Sequence, residues 1–123
     1  LSENTAYACE PFVTTEQGGG FVRNGTIKNI FAINSRKKTK NDEADKLLDF
    51  IWENFNMLPF ALRWITKEWE EKEARELLDI LIKKKAVQAY PVLIEVNEQR
   101  VAQAEHTFIP MESGVTVTTK ALT

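Results

Sequence analysis

The sequence is poor in the two residue types that most often build disulfide and metal sites. Its 123 residues include one cysteine, Cys9, and one histidine, His106. A single cysteine excludes an internal disulfide framework and a four-cysteine zinc site, and it is compatible with a reducing compartment. A single histidine excludes a metal site that needs two histidines from this chain.

Long apolar runs and a strong net charge are also absent. No stretch approaches the roughly 18 apolar residues that a membrane span needs, and no basic segment followed by an apolar one opens the chain. Sixteen basic and eighteen acidic residues leave a net charge of −2, so no strong overall field attracts nucleic acid or anionic lipid. We expect a cytoplasmic protein with no membrane partner. The first residue is Leu1 and not Met, which indicates a chain that is processed or part of something longer.

Strand-like patterns occupy both ends of the chain, and helical patterns occupy its middle. The predicted strands cover residues 5–13, 26–33, 90–96, 100–109 and 115–119, and residues 97–99 have the length of a hairpin turn. Helices are predicted over residues 42–56, over 58–65 with Pro59 in the first turn, and from 67 or 70 to 85. This order of elements predicts an α+β fold.

An apolar stripe with helical spacing defines the first helix, and Asn41 is placed to cap its start. Acidic side chains follow in the first turn, where the helix dipole favours negative charge. The stripe consists of Ala44, Leu47, Leu48, Ile51, Trp52 and Phe55.

The glycine triplet and two basic segments could have a function, but each also has a purely structural explanation. The glycine triplet at residues 18–20 lacks the Gly-Lys-Ser/Thr ending of a phosphate-binding loop, so we interpret it as a turn. The basic segments 36–40 and 83–85 could contact RNA or a ribosome surface. We favour solvated charges, because the net charge is negative and no aromatic residues are interleaved with them.

Glu10 and Glu105 are the carboxylates whose positions are informative. Glu10 precedes Pro11, which places it extended near a strand end or a sheet edge. Glu105 lies in a predicted strand, on the face opposite to that of His106, so these two cannot bind one metal ion together. A carboxylate there is either exposed to solvent, which the residues alone favour, or buried and paired with a partner or a metal.

Four motifs resemble the carboxy-terminal half of type II methionine aminopeptidases of the peptidase M24 family, especially the archaeal ones. They occur in the family's order and approximate spacing and cover nearly the whole chain. The roughly 60-residue helical region between the two Glu motifs looks like the insert that separates type II from type I enzymes. The motifs are Tyr-Ala-Cys-Glu-Pro-Phe at residues 7–12, Leu-Pro-Phe-Ala-Leu-Arg-Trp at 58–64, Tyr-Pro-Val-Leu at 90–93 and Val-Ala-Gln-Ala-Glu-His-Thr at 101–107.

The resemblance implies half of a pita-bread fold and a dinuclear metal site held by two Asp, one His and two Glu. The two Glu map onto Glu10, which shares one ion with the His, and Glu105, which bridges both ions. Two divalent ions, Co, Mn, Fe or Zn, are the implied cofactors. The implied reaction is hydrolytic removal of the initiator Met from a nascent chain. The family's acid-base His lies in the other half, so we assign no catalytic residue here.

The same resemblance implies substrate-binding roles for Phe12, Tyr90, Pro59, Phe60 and Ile30, each of which could equally be a core residue. It also implies an organisation in which residues 1–35 and 88–123 are strands of the catalytic half-domain and 36–87 the helical insert. One departure is Ala104, which stands where the family usually has Phe.

The chain supplies at most two of the five metal ligands. We therefore expect the amino-terminal half to be a separate chain that forms a heterodimer with this one, or to be lost sequence. Two alternatives stay open: a non-catalytic pita-bread homologue that binds RNA or protein, and a winged-helix-like binding module. The helix of the latter would carry Glu68, Glu70, Glu71, Glu73 and Glu76, which repel phosphate.

Overall fold

The structure, a computed structural model, describes residues 1–120 and combines antiparallel strands with three helices, which confirms the predicted α+β class. The strands form three small sheets with the orders β1-β7-β8, β2-β6 and β4-β3-β5. The elements are β1 Tyr7–Cys9, β2 Phe12–Thr14, β3 Val22–Ile33, α1 Asp42–Phe55, β4 Phe60–Ala61, α2 Leu62–Ile65, α3 Glu71–Lys83, β5 Val87–Glu95, β6 Val101–Gln103, β7 His106–Met111 and β8 Gly114–Val117.

The chain divides into two units. One, the split unit, contains residues 1–23 and the chain from residue 94 onward; the other, the central unit, contains residues 24–93. The division falls within β3 and β5. None of the helices in residues 1–120 is long and apolar enough to cross a membrane.

The hydrophobic core lies in the central unit. The predicted stripe of α1 contributes four fully buried residues, and α3 contributes a second apolar face of the same kind. All buried apolar residues among those described lie between residues 31 and 87. The largest of them are Phe60, Leu47, Leu48, Ile51, Ile65, Leu78, Leu81 and Val87.

The second and third helices are shorter than predicted. Pro59 does not lie in the first turn of α2, because Phe60 and Ala61 form β4 and pair with β3 before the helix begins at Leu62. Glu70 caps α3, since its carboxylate accepts hydrogen bonds from the N–H groups of Lys72 and Glu73. The last turn ends at Lys83 and not at residue 85.

The predicted hairpin between residues 90–96 and 100–109 is wrong. β5 lies beside β3 in one sheet, whereas β6 pairs with β2 in another. Residues 97–99 do form a turn, in which the N–H of Glu98 donates to the carbonyl of Glu95 at 2.8 Å. The composition of residues 97–99 thus predicted the turn. It did not predict which strands pair, because strand pairing depends on the tertiary structure.

Candidate metal-binding strand pair

The strands that carry Glu10 and Glu105 run antiparallel in one continuous register. β1 pairs with β7 so that Cys9 is opposite His106, and β2 pairs with β6 so that Phe12 is opposite Gln103. The same register, continued across the two residues between these ladders, places Glu10 opposite Glu105 and Pro11 opposite Ala104. The two carboxylates, 95 positions apart in the sequence, therefore stand at facing positions of one strand pair.

The ladder is interrupted where these residues lie. Pro11 has no N–H to donate, which ends β1 and separates it from β2. The carbonyl of Pro11 still accepts a hydrogen bond from the N–H of Ala104 at 3.2 Å, so the strands stay together across the gap. The continuous strands predicted for residues 5–13 and 100–109 are thus each divided in two.

The facing glutamates share one side of the strand pair. Directly opposed residues have Cβ atoms about 4.5–5.5 Å apart, which allows the carboxylates of Glu10 and Glu105 to approach one ion. Both residues are exposed. Glu10 Oε2 accepts a hydrogen bond of 3.4 Å from Gln103 Nε2, and neither glutamate forms an ion pair within residues 1–120.

This pair of carboxylates fits part of a divalent metal site. Facing like charges are unfavourable unless a cation lies between them, and oxygen ligands suit Mn, Fe and Co at least as well as Zn. Within residues 1–120 no three Asp, Glu, His or Cys side chains gather as a complete site would require. Further ligands would have to come from elsewhere.

His106 and Cys9 belong to the other side of the same strands. They face each other one position along the ladder, so their side chains point away from the glutamates. His106 Nδ1 lies 3.1 Å from Thr119 Oγ1, which also accepts the N–H of Thr107 at 2.9 Å. The structure therefore separates His106 from Glu105, as the sequence predicts.

Glu95 is a buried carboxylate that the sequence analysis did not single out. Its side chain is 3% exposed. Oε1 accepts hydrogen bonds from the N–H groups of Gly19 and Gly20 at 2.5 and 3.2 Å, and Oε2 from those of Asn97 and Gln99 at 2.8 and 3.2 Å. Burial raises the pKa of Glu95, but these four N–H groups together outweigh it and hold the pKa below its ordinary value.

The Glu95 contacts give the glycine triplet a structural role. Gly20 has φ of 76°, a left-handed backbone that glycine adopts without strain. Gly19 and Gly20 thereby turn their N–H groups toward the carboxylate of Glu95 in the same unit, whereas the N–H of Gly18 donates to the carbonyl of Thr15. No local sequence signal could have shown this pairing, because the glycines look like an ordinary turn and Glu95 lies at the end of a strand 75 residues later.

Phe12 lies in the split unit, beside the strand that carries Gln103. It is 57% exposed and borders a cavity of about 80 Å³. The other residues that line this cavity are Val13, Thr14, Gly20, Phe21, Val22, Glu95 and Val101. The lining is mostly apolar, and Glu95 is its one charged residue.

The remaining predicted substrate residues lie in the central unit. Phe60 is 1% exposed and its ring stacks on those of Phe31 and Phe55, at centroid distances of 5.8 and 5.4 Å. Ile30, one position along the same strand pair, is partly exposed and borders an open groove. Pro59 is exposed.

Tyr90 is exposed on β5, and its hydroxyl accepts a hydrogen bond from Gln88 Nε2 at 2.5 Å. Among the predicted site residues, Ile30 lies near Pro59 and Phe60. Glu10 lies opposite Glu105. Phe60 is part of the core.

Comparison with known proteins identifies relatives over nearly the whole chain. It is 41% identical over 113 residues to a methionine aminopeptidase of Methanocaldococcus jannaschii and 38% identical over 125 residues to one of Saccharolobus solfataricus. These matches cover 92% and 99% of this chain but 37% and 40% of the relatives. A methionine aminopeptidase of Thermococcus kodakarensis is 38% identical, with 97% of this chain and 40% of the relative covered. No protein-family model matches.

Among solved structures, a thermophilic Arx1 superimposes with a TM-score of 0.75 at 18% identity, over 91% of this chain and 29% of that one. This likeness confirms the predicted pita-bread type of fold. The sequence matches confirm the predicted relationship, while the chain spans only about two fifths of the length of these relatives. The chain is therefore homologous, over nearly all of its own length, to one part of an archaeal methionine aminopeptidase.

Proposed function

We propose that this chain is the carboxy-terminal part of a dinuclear-metal methionine aminopeptidase that removes the initiator Met from nascent proteins in the cytoplasm. The observation that carries the proposal is the facing position of Glu10 and Glu105 in a chain homologous to such enzymes. Random placement of two glutamates would rarely put them opposite each other on one side of two strands.

Glu10 and Glu105 would hold two divalent ions, Co, Mn, Fe or Zn, together with ligands from the rest of the enzyme. The bound ions would supply Lewis-acid activation of a water molecule and of the scissile peptide bond. The strand pair fixes the spacing of the two carboxylates. Gln103, on the same side of β6, holds Glu10 by its hydrogen bond and so limits the rotation of that ligand.

Of the residues proposed to bind substrate, most lie at the surface and one lies in the core. Phe12, Ile30 and Tyr90 are exposed enough to contact a methionine side chain. Pro59 is also exposed, next to Phe60. Phe60 would act only indirectly, because its ring fixes the strand beside Ile30.

The proposed partner is the polypeptide that supplies the missing part of the enzyme, as a separate chain or as sequence joined to this one. The split unit has no buried apolar residue among those described, and eight large apolar side chains on or beside its strands are 38–64% exposed. Apolar surface of this extent is typical of an interface. The residues are Phe12, Val13, Phe21, Val22, Val101, Met111, Val115 and Val117.

A second candidate function is a non-catalytic pita-bread protein that binds protein or RNA. Within residues 1–120 no third Asp, Glu, His or Cys joins Glu10 and Glu105, so this chain alone does not complete the site that the first function needs. The ligands of the missing part would decide between the two functions.

Metal binding and peptide hydrolysis test the proposal separately. The chain is mixed with its candidate complement, and bound Mn²⁺ or Co²⁺ and Met release from a Met-Ala peptide are measured. We expect both only in the mixture, with both strongly reduced by Glu10→Gln or Glu105→Gln. Glu112→Gln, an exposed carboxylate on the same unit, is the matched control and should change neither. Met release that survives Glu105→Gln would contradict the site.

A further inference from the structure

One edge of β3 is open over part of its length. Within residues 1–120, β4 pairs with β3 only at Ile30 and Phe31, because the chain leaves β4 and enters α2 at Leu62. β5 lies on the opposite edge of β3. The stretch from Thr26 to Asn29 therefore has no strand beside it on the β4 side among the described residues.

The side chain of Arg75 shows that backbone groups of this stretch point toward the open side. Its guanidinium donates a hydrogen bond to the Lys28 carbonyl at 3.4 Å and another to Asn29 Oδ1 at 3.3 Å. Glu71 Oε1, one helical turn earlier, holds the guanidinium at 2.8 Å. The N–H and the carbonyl of one strand residue point to the same edge, and every second residue repeats this direction. The N–H of Lys28 and both backbone groups of Thr26 therefore point there too.

A groove runs along this open edge, between β3 and α3. It has a volume of about 620 Å³, and its lining includes the apolar side chains of Leu78 and Ile82 on α3. A second groove of about 330 Å³ shares Asn29 and Arg75 with the first and borders Ile30. Both have the size of common ligand-binding clefts. Together they follow the edge of β3 as far as Ile30, which is proposed above to contact a methionine side chain.

An open strand edge can bind an extended peptide as an additional strand. The backbone hydrogen bonds then supply affinity that does not depend on the side chains of the peptide. About four peptide residues would lie beside residues 26–29, with alternate side chains directed toward α3 and toward solvent. The groove therefore fits an extended chain of variable sequence.

We propose that the segment of a nascent chain that follows the initiator methionine pairs with the open edge of β3. This occupant rests on the proposed function, in which Ile30 contacts the methionine side chain. A peptide that begins at Ile30 and runs antiparallel to β3, as β4 does, continues directly along the edge toward Thr26. Backbone pairing also suits an enzyme that acts on many nascent proteins, because their sequences after the methionine differ.

The test uses the peptide Met-Ala-Ser-Val-Thr-Lys-amide and two N-methylated forms of it. Methyl groups on the third and fifth nitrogens block pairing from one edge of the peptide, and methyl groups on the fourth and sixth block the other edge. Only one edge pairs with β3. We therefore expect one methylated form to bind like the unmodified peptide and the other to bind about tenfold more weakly, as the loss of two hydrogen bonds implies.

Hydrogen exchange measured by NMR on the purified chain in EDTA reports the pairing directly. With peptide at about ten times its Kd, the amides of Thr26 and Lys28 should exchange about tenfold more slowly. The amides of Ile27 and Asn29 point to the opposite edge and should not change. Thr26→Pro removes one edge N–H and should weaken peptide binding about tenfold, since proline is tolerated at an open edge but cannot donate. Lys37→Pro, in an exposed loop of the same unit, is the control and should bind like the wild type.

Two binding results would overturn the proposal: equal binding of the two methylated peptides, or unchanged exchange at Thr26 and Lys28. The methylated peptides decide the matter if Thr26→Pro melts early, because they are tested on the unchanged chain.

Kinetics in the mixture with the complement show whether the bound peptide is the substrate. The methylated form that binds should release Met with a kcat/KM about tenfold higher than the other form. Equal values would overturn the assignment of the substrate to this edge. Because exchange is measured in EDTA, an absence of hydrolysis with edge binding intact would contradict only the proposed function.

Discussion

At the scale of single residues, Glu95 stands out because it is a carboxylate held by two loops of the split unit at once. Its lowered pKa means that folding favours the ionised form. Glu95 therefore contributes stability above its ordinary pKa of 4.5, and that contribution is lost as the pH falls through the lower pKa of the folded state.

We predict that Glu95→Gln lowers the melting temperature at pH 7 and that the difference from the wild type closes as the pH falls toward 3. A glutamine side chain has one acceptor oxygen, whereas glutamate has two. The N–H groups that donate to one of the two Glu95 oxygens would therefore lose their hydrogen-bond acceptor. Thermal melts across the pH range measure the difference. For Glu112→Gln, the difference in melting temperature from the wild type should not change in this way with pH. A difference for Glu95→Gln that is the same at every pH would refute the stabilising role of the ionised Glu95.

Phe60 and Ile30 lie on one strand pair, but Phe60 is buried and Ile30 is exposed. Phe60→Ala should cost about 3–5 kcal/mol of unfolding free energy, because it leaves a cavity between two stacked rings. Ile30→Ala, at a residue 41% exposed, should cost clearly less. Urea unfolding followed by tryptophan fluorescence measures both. Equal costs would show that Ile30 is packed more tightly than its exposure indicates.

Glu10 and Glu105 were identified as candidate metal ligands only by resemblance. Composition and alternation favoured an exposed Glu105, and the structure shows an exposed residue. Its position opposite Glu10 depends on pairing across most of the chain, which local patterns do not encode. The roles of both residues as metal ligands stay a prediction.

At the scale of elements, α1 was predictable because its signals are local. Asn41 Oδ1 accepts the N–H of Ala44 at 2.9 Å, as the expected cap does. The four buried residues of α1 all belong to the predicted stripe. The small β4 and the partners of β6 could not be predicted, since both depend on which strands meet.

We predict that Asn41→Ala lowers the unfolding free energy by about 1 kcal/mol, the usual cost of losing an N-cap acceptor. Asn41→Asp keeps the acceptor and should retain most of the stability. Asn54→Ala is the control on the same helix: its side chain bonds to the Phe50 carbonyl but caps nothing. Circular dichroism during urea unfolding measures all three, and an Asn54 effect as large as that of Asn41 would refute the capping argument.

At the scale of the whole molecule, the core is distributed unequally between the units. The central unit holds every buried apolar residue described, whereas the split unit holds buried Glu95. The α+β class could be predicted from the order of strand and helix patterns. The unequal distribution of buried residues could not, because strand periodicity does not show whether the apolar face of a strand packs against residues of the same chain.

We predict that hydrogen exchange in the isolated chain is fast in the strands of the split unit and slow in α1 and α3. Amides exchange slowly where opening must disrupt a packed core. Addition of the complementary polypeptide should slow exchange in β1, β2, β6 and β7. Mass spectrometry of peptic fragments measures this, and equal protection of both units in the isolated chain would contradict the proposed partner.

The N–H of Val96 donates to the carbonyl of Phe21 at 3.0 Å, so the backbone departs from the split unit and rejoins it at adjacent points. A short loop could bridge those points without rerouting any strand that carries a glutamate. Insertion or removal of residues 24–93 between these points would therefore leave both acidic motifs, residues 7–12 and 101–107, intact in the sequence.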